Sequence, residues 1–118
     1  MDKLTAYKAT AQQRHISEQE QLYQRRQRAW EVARRAATIL KEQFGASRVV
    51  LFGSLVHEEL FTQWSDVDIA AWGIAPANTF KAVAAFIGFD EEIEVSLVDV
   101  SMCKPALFAT IEREGIEL

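Results

Sequence analysis

Two short stretches, Gly53-Ser54 and Asp66-Val67-Asp68, hold the residue types and spacing that could do chemistry. Each borders an apolar, β-branched run, "SRVVLF" before the first and "IAAW" after the second. Residues two apart in a strand project to one face, so Asp66 and Asp68 would present two carboxylates side by side. Such a pair repels itself and resists burial. Hard oxygen donors of this kind suit Mg²⁺, which keeps several waters and is completed by the phosphates of a nucleoside triphosphate. The Gly53-Ser54 turn adds a complementary feature: backbone N–H groups, a glycine without a Cβ to block a phosphate, and a hydroxyl donor. Turns are commonly rich in Gly and Ser, and an isolated D-x-D is mostly a solvated strand start. The two together, bounded by "LFGS" and "SDVDIA", are far more specific.

The elements that must position these residues are legible in the hydrophobic pattern. Leu22, Ala29, Ala33, Ala36, Leu40 and Phe44 recur at helical spacing, widened by Trp30, Val32, Ala37 and Ile39. Arg25, Arg26, Arg28, Arg34 and Arg35 lie mainly off that stripe and read as a solvated basic face. Ser17-x-x-Glu20, preceded by Ile16, has the form of a capping box with a hydrophobic staple, which predicts a helix start near Ser17. Residues 3–14 form an earlier helix or extend this one, and Gly45 supplies the stop. Strands are predicted at "SRVVLFG", "DVDIAAWG" and "EIEVSLVDV". A short helix covers residues 79–88, with Asn78 or Thr79 near its cap. Another opens at Lys104-Pro105 and runs to about Glu114. Gly115 ends it, and "IEL" is a candidate last strand. The order predicts an α/β (α+β) domain with a small mixed sheet.

Composition narrows the function. The 118 residues suit one compact unit, here divided into an N-terminal helical extension (1–45) and a domain proper (46–118). No apolar run approaches the roughly 20 residues of a membrane helix, and "MDKLTAYKATAQQRH" lacks an apolar signal core. A lone Cys103 makes neither an internal disulfide nor a zinc site, so a reducing cytoplasm is the expected location. The net charge of −4 is unevenly spread. Residues 1–48 hold ten Lys/Arg against five Asp/Glu, whereas residues 49–118 hold three against twelve. The acidic part repels a nucleic-acid backbone, so direct nucleic-acid binding is not expected. The apolar-striped helix makes a homo-oligomer one expectation. Trp64 beside the D-x-D is open to base stacking, packing or a partner. His57 and Glu58 lie in the motif loop, open to a nucleotide contact though such residues are more often simply exposed, and Trp72 and Phe52 read as core.

"LFGSLVHEELFTQWSDVDIAAWG" resembles the signature of the nucleotidyltransferase superfamily related to DNA polymerase β. It is most similar to the minimal nucleotidyltransferase (MNT) branch, the antitoxins paired with HEPN-domain toxins. "EVSLVDVSMCKPALFATIEREGIEL" resembles the ending of that family, and the likeness spans roughly residues 30–118. Eleven residues separate Ser54 from Asp66, one more than the common family spacing. The resemblance implies a nucleotidyltransferase fold in which Gly53 and Ser54 hold the phosphates of ATP and Asp66 and Asp68 bind Mg²⁺. It further implies two-metal transfer of AMP to a tyrosine of a HEPN-type toxin, with release of pyrophosphate.

The likeness breaks at one position. A third carboxylate belongs on the next strand, and aligning "EVSLVDV" places Ser96 there. Serine is neutral, a weak metal ligand, and no general base near neutral pH. Three readings follow. Catalysis is lost or impaired while binding persists; Glu94, two residues away on the same strand face, substitutes; or Asp99 substitutes, which needs a bulge because alternation sends it to the opposite face. The first is favoured. The functional expectation is therefore a nucleotidyltransferase-like antitoxin, Mg²⁺- and ATP-dependent if active. The alternative is a degenerate binding module that neutralises, or assembles with, a helical partner by contact.

Overall fold

A computed structural model describes residues 2–118. The first element, α1 (Lys3–Phe44), is a single helix of 42 residues. Asp2 caps it, its Oδ1 accepting the Thr5 N–H at 2.7 Å. Gly45 ends it in the left-handed region (φ 72°), and the N–H groups of Gly45 and Ala46 both return to the Leu40 carbonyl. The capping box expected at Ser17 does not form a helix start. No Pro or Gly interrupts residues 3–44, so nothing breaks the helix there, and Ser17 lies in its interior.

The remaining elements follow the predicted order: β1 (Arg48–Phe52), β2 (Val67–Trp72), α2 (Thr79–Phe86), β3 (Val95–Asp99), α3 (Pro105–Glu114) and β4 (Ile116–Glu117). The predicted third strand is trimmed at both ends. At its C-terminal end, Asp99 Oδ1 accepts from Ser101 N–H (3.0 Å) and Ser101 Oγ (2.7 Å), which turns the chain into a 3₁₀ turn. The mixed sheet has the order β3-β2-β1-β4; β1 runs antiparallel to β2 and β4, and β2 parallel to β3. The parallel pair is joined by the crossover through α2.

Strand alternation sorts the side chains into two layers. Val49, Leu51, Val67, Ile69 and Ala71 face α1 and α2, where they join Ala29, Val32, Ala33, Ala36, Ala37 and Leu40 of α1 and Ala82 and Phe86 of α2. The row of alanines lets α1 approach the sheet closely. Val50, Phe52 and Ala70 face the other way, towards Ile111 of α3. Residues 2–21 of α1 are all exposed. This half of the helix, about 30 Å long at 1.5 Å per residue, projects beyond the packed layers, and the molecule measures 65 × 29 × 18 Å.

Candidate functional site

The site forms at one end of the parallel β2–β3 pair, where β1 also ends. β1 closes at Phe52, level with Asp68 on β2. Gly53 then takes φ 82° and ψ −157°, a region essentially restricted to glycine. A Cβ at this residue would stand 2.4 Å from Asp68 Oδ2. Glycine is therefore required twice, for its backbone and for the space that Asp68 fills. Ser54 begins a 3₁₀ turn, with the His57 N–H returning to the Ser54 carbonyl at 3.1 Å.

Asp66 lies just before β2. The Val67 N–H donates to the Glu94 carbonyl at 3.0 Å, and the Glu94 N–H donates to Asp66 Oδ1 at 3.1 Å. The segments leading into β2 and β3 are thus joined around this aspartate. Asp68 is half-buried, and its carboxyl is held above the usual carboxylate range, first by burial and then by the charge of Asp66. The expected self-repelling pair is present.

Across the parallel ladder, Asp68 is level with Ser96. Ser96 is exposed and carries no carboxylate to the site. Glu94 is also exposed, two residues earlier, and shares an open groove with Asp66. Asp99 does not reach this end of the sheet. It is level with Ala71, three rungs away, and its Oδ1 is taken up by Ser101.

The donor set suits one hard divalent cation shared between Asp66 and Asp68 and completed by phosphate oxygens; among the described residues Arg25 pairs with Asp66 and no cation pairs with Asp68. It does not make a three-carboxylate set: among the described residues no group of three His, Cys, Asp or Glu side chains is arranged to hold a metal ion.

The family model for the nucleotidyltransferase domain matches residues 33–117. The chain belongs to the nucleotidyltransferase domain family. Its fold is that of chains in two crystal structures of mutant forms of the toxin–antitoxin MntA-HpeT. One is 21% identical and the other 16%, each with a TM-score of 0.59 over 72% of this chain. The matches cover 69% and 70% of those chains. No curated protein matches the chain at a significant level. The family match begins at residue 33, so the projecting half of α1 lies outside it.

One residue beside the Asp66 and Asp68 pair was not anticipated from the sequence. Arg25 of α1, placed off the apolar stripe, is only 9% exposed. Its guanidinium donates to the Ser65 carbonyl (2.8 and 3.3 Å), the Glu92 carbonyl (3.1 Å) and Asp66 Oδ1 (3.5 Å). The signal was there in the spacing: Arg25 stands three residues after Leu22 and four before Ala29, which is on the stripe. Arg28 extends the link, pairing with Asp90 at 3.1 Å and Glu92 at 3.2 Å. The groove between α1 and these loops encloses about 770 Å³ and includes Arg25, Trp64, Asp66, Glu92 and Glu94 in its walls. Trp64, 80% exposed, stands at its rim. His57 turns away to Glu114, with Nε2 3.4 Å from the carboxylate.

Proposed function

We propose that this chain is a minimal nucleotidyltransferase-like antitoxin that acts on a HEPN-type helical toxin in the cytoplasm. Its reaction is transfer of AMP from ATP, with Mg²⁺, to a hydroxyl of that partner, at a rate lowered by Ser96. The observation that carries the reading is the packing of Gly53 against Asp68, with Asp66 alongside: a glycine-only turn and two carboxylates meeting at one sheet end. In this reading Gly53 and Ser54 take the phosphates and Asp66 and Asp68 hold the cation. The bound metal supplies charge neutralisation at the entering and leaving oxygens. Glu94, immediately before β3 and two residues from Ser96, is the leading candidate for the third role. The toxin partner is supported by the MntA-HpeT toxin–antitoxin structures, in each of which a chain has this fold.

A second reading rests on Ser96, level with Asp68 on β3. Two carboxylates without a third favour a module that binds nucleotide or partner but turns over slowly or not at all. Neutralisation would then come from contact, for which the projecting half of α1 offers surface. One experiment separates the two: incubation of the protein with Mg²⁺, α-labelled ATP and the helical protein encoded beside it. Label on the partner that is lost in Asp66→Asn supports the transferase. No label, with protection retained in Asp66→Asn, supports the binding module. No label, with neither native chain nor variant protecting, removes both.

A further inference from the structure

We infer that Arg25 is a positioning residue for Asp66. The inference rests on the reading of Asp66 and Asp68 as a cation site. A guanidinium that is nine-tenths buried is expensive to desolvate, and an apolar side chain of similar volume is often as stable in its place. Packing alone therefore gives no reason for an arginine at this point of α1. Its partners do. The three hydrogen-bond acceptors are the Ser65 carbonyl, the Glu92 carbonyl and Asp66 Oδ1, and the exposed Glu92 carboxylate stands 3.7 Å from the same guanidinium. Ser65 directly precedes Asp66, and Glu92 lies two residues before Glu94.

The shortest bonds go to the two carbonyls and the longest to Asp66, so Arg25 acts mainly as a clip between the two loops. A planar fork can meet several acceptors at once, which a lysine ammonium on its flexible stem does not reproduce. Together with the Glu94 N–H, this clip fixes Asp66 Oδ1. Asp66 Oδ2 has no hydrogen-bond donor among the described residues and is the oxygen left for a cation. A carboxylate held in one orientation binds a metal more tightly than a mobile one, and groups that orient a ligand in this way are worth about 10- to 100-fold in affinity. The positive charge of Arg25 acts in the opposite direction, because it repels a cation. The sign of the effect on removal therefore separates positioning from charge.

The test is Mn²⁺ binding to the full chain, followed by electron paramagnetic resonance, for the native protein, Arg25→Lys and Arg25→Met, with circular dichroism and thermal melts as the check of fold. The expected result is Mn²⁺ binding weakened about tenfold or more in both variants, with Lys failing to rescue although it keeps the charge. Mn²⁺ affinity unchanged or tighter in Arg25→Met, or restored to the native value in Arg25→Lys, overturns the role of Arg25 as a positioning fork. If Arg25→Met does not fold, Arg25→Lys decides. A native chain that binds no Mn²⁺, with Asp66→Asn and Asp68→Asn giving the same spectrum, overturns the cation-site reading itself and the role of Arg25 with it.

Discussion

Asp68 and Ser96 stand level with each other across the parallel β2–β3 pair, and only one of them is a carboxylate. This rung places the departure from a three-carboxylate site on the strand next to the aspartate pair. Placing Ser96→Asp here adds a like charge directly opposite Asp68. Without divalent cation, stability should fall by roughly 0.2–1 kcal/mol, seen as a lower Tm at neutral pH, and millimolar Mg²⁺ should reverse the loss. If Ser96 is what slows the chemistry, transfer of label to the partner rises about 100-fold or more, the scale of a restored general base. A Tm that ignores Mg²⁺ would show that position 96 does not share a cation with Asp68.

Gly53→Ala tests the contact that brings the turn and the carboxylate together. The added Cβ meets Asp68 Oδ2 at 2.4 Å on a backbone at φ 82°. Strain at such a position costs about 1–3 kcal/mol, and the clash pushes the Asp68 carboxylate out of place. Urea unfolding should show a loss in that range. Calorimetric titration with Mg²⁺·ATP should show binding lost even under conditions where the variant is fully folded. Binding retained at native affinity would dissociate the glycine turn from the nucleotide.

The sequence made most of this arrangement legible, for physical reasons that differ by element. The strands announced themselves because Val49–Phe52 and Val67–Trp72 are buried on both sides, except for the half-buried Asp68 and Trp72, and are therefore almost wholly apolar. The Gly53-Ser54 and Asp66/Asp68 motifs were visible because their residue types have few competing uses in that combination. Two features were hidden. Ser17-x-x-Glu20 is a valid local start signal, but local signals state what a terminus would do, not where the chain ends its helix; the uninterrupted run from Lys3 overrides it. Arg25 was hidden because a charged residue is ordinarily assigned to solvent. Its shortest bonds go to backbone carbonyls 40 and 67 residues away in sequence, which no local pattern shows.

The raised pKa of Asp68 gives a signed pH dependence. A carboxyl whose folded pKa lies above its unfolded value binds more protons in the folded state. Stability therefore falls as pH rises from the unfolded value of 3.8 through the raised folded value, and the loss is complete above it. Asp68→Asn removes this penalty. Measured without divalent cation, the variant should melt higher than the native protein near neutral pH, and the difference should shrink as pH falls towards 3.8. Carboxylates remote from Asp68 titrate alike in both proteins and cancel in the comparison. A variant that melts lower at neutral pH would mean that Asp68 gains more from its surroundings than burial and Asp66 take from it.

The latent capping box offers a test of how α1 divides. Residues 2–21 are all exposed, so a chain that starts at Ile16 loses helix but no core. The shortened chain starts at Ile16, with Ser17 free to act as N-cap and Glu20 in place to complete the box. Ser17→Ala should then change sign with context. In the full chain Ser17 is a helix-interior residue of lower propensity than alanine, so the substitution should be neutral or stabilise by up to about 0.7 kcal/mol. In the shortened chain it removes a cap and should cost about 1 kcal/mol. Chemical denaturation of the four proteins gives both values. A shortened chain that melts far below the full one would show that the projecting half of α1 supports the fold through more than its own hydrogen bonds. The same sign in both contexts would show that the helix does not restart at Ser17.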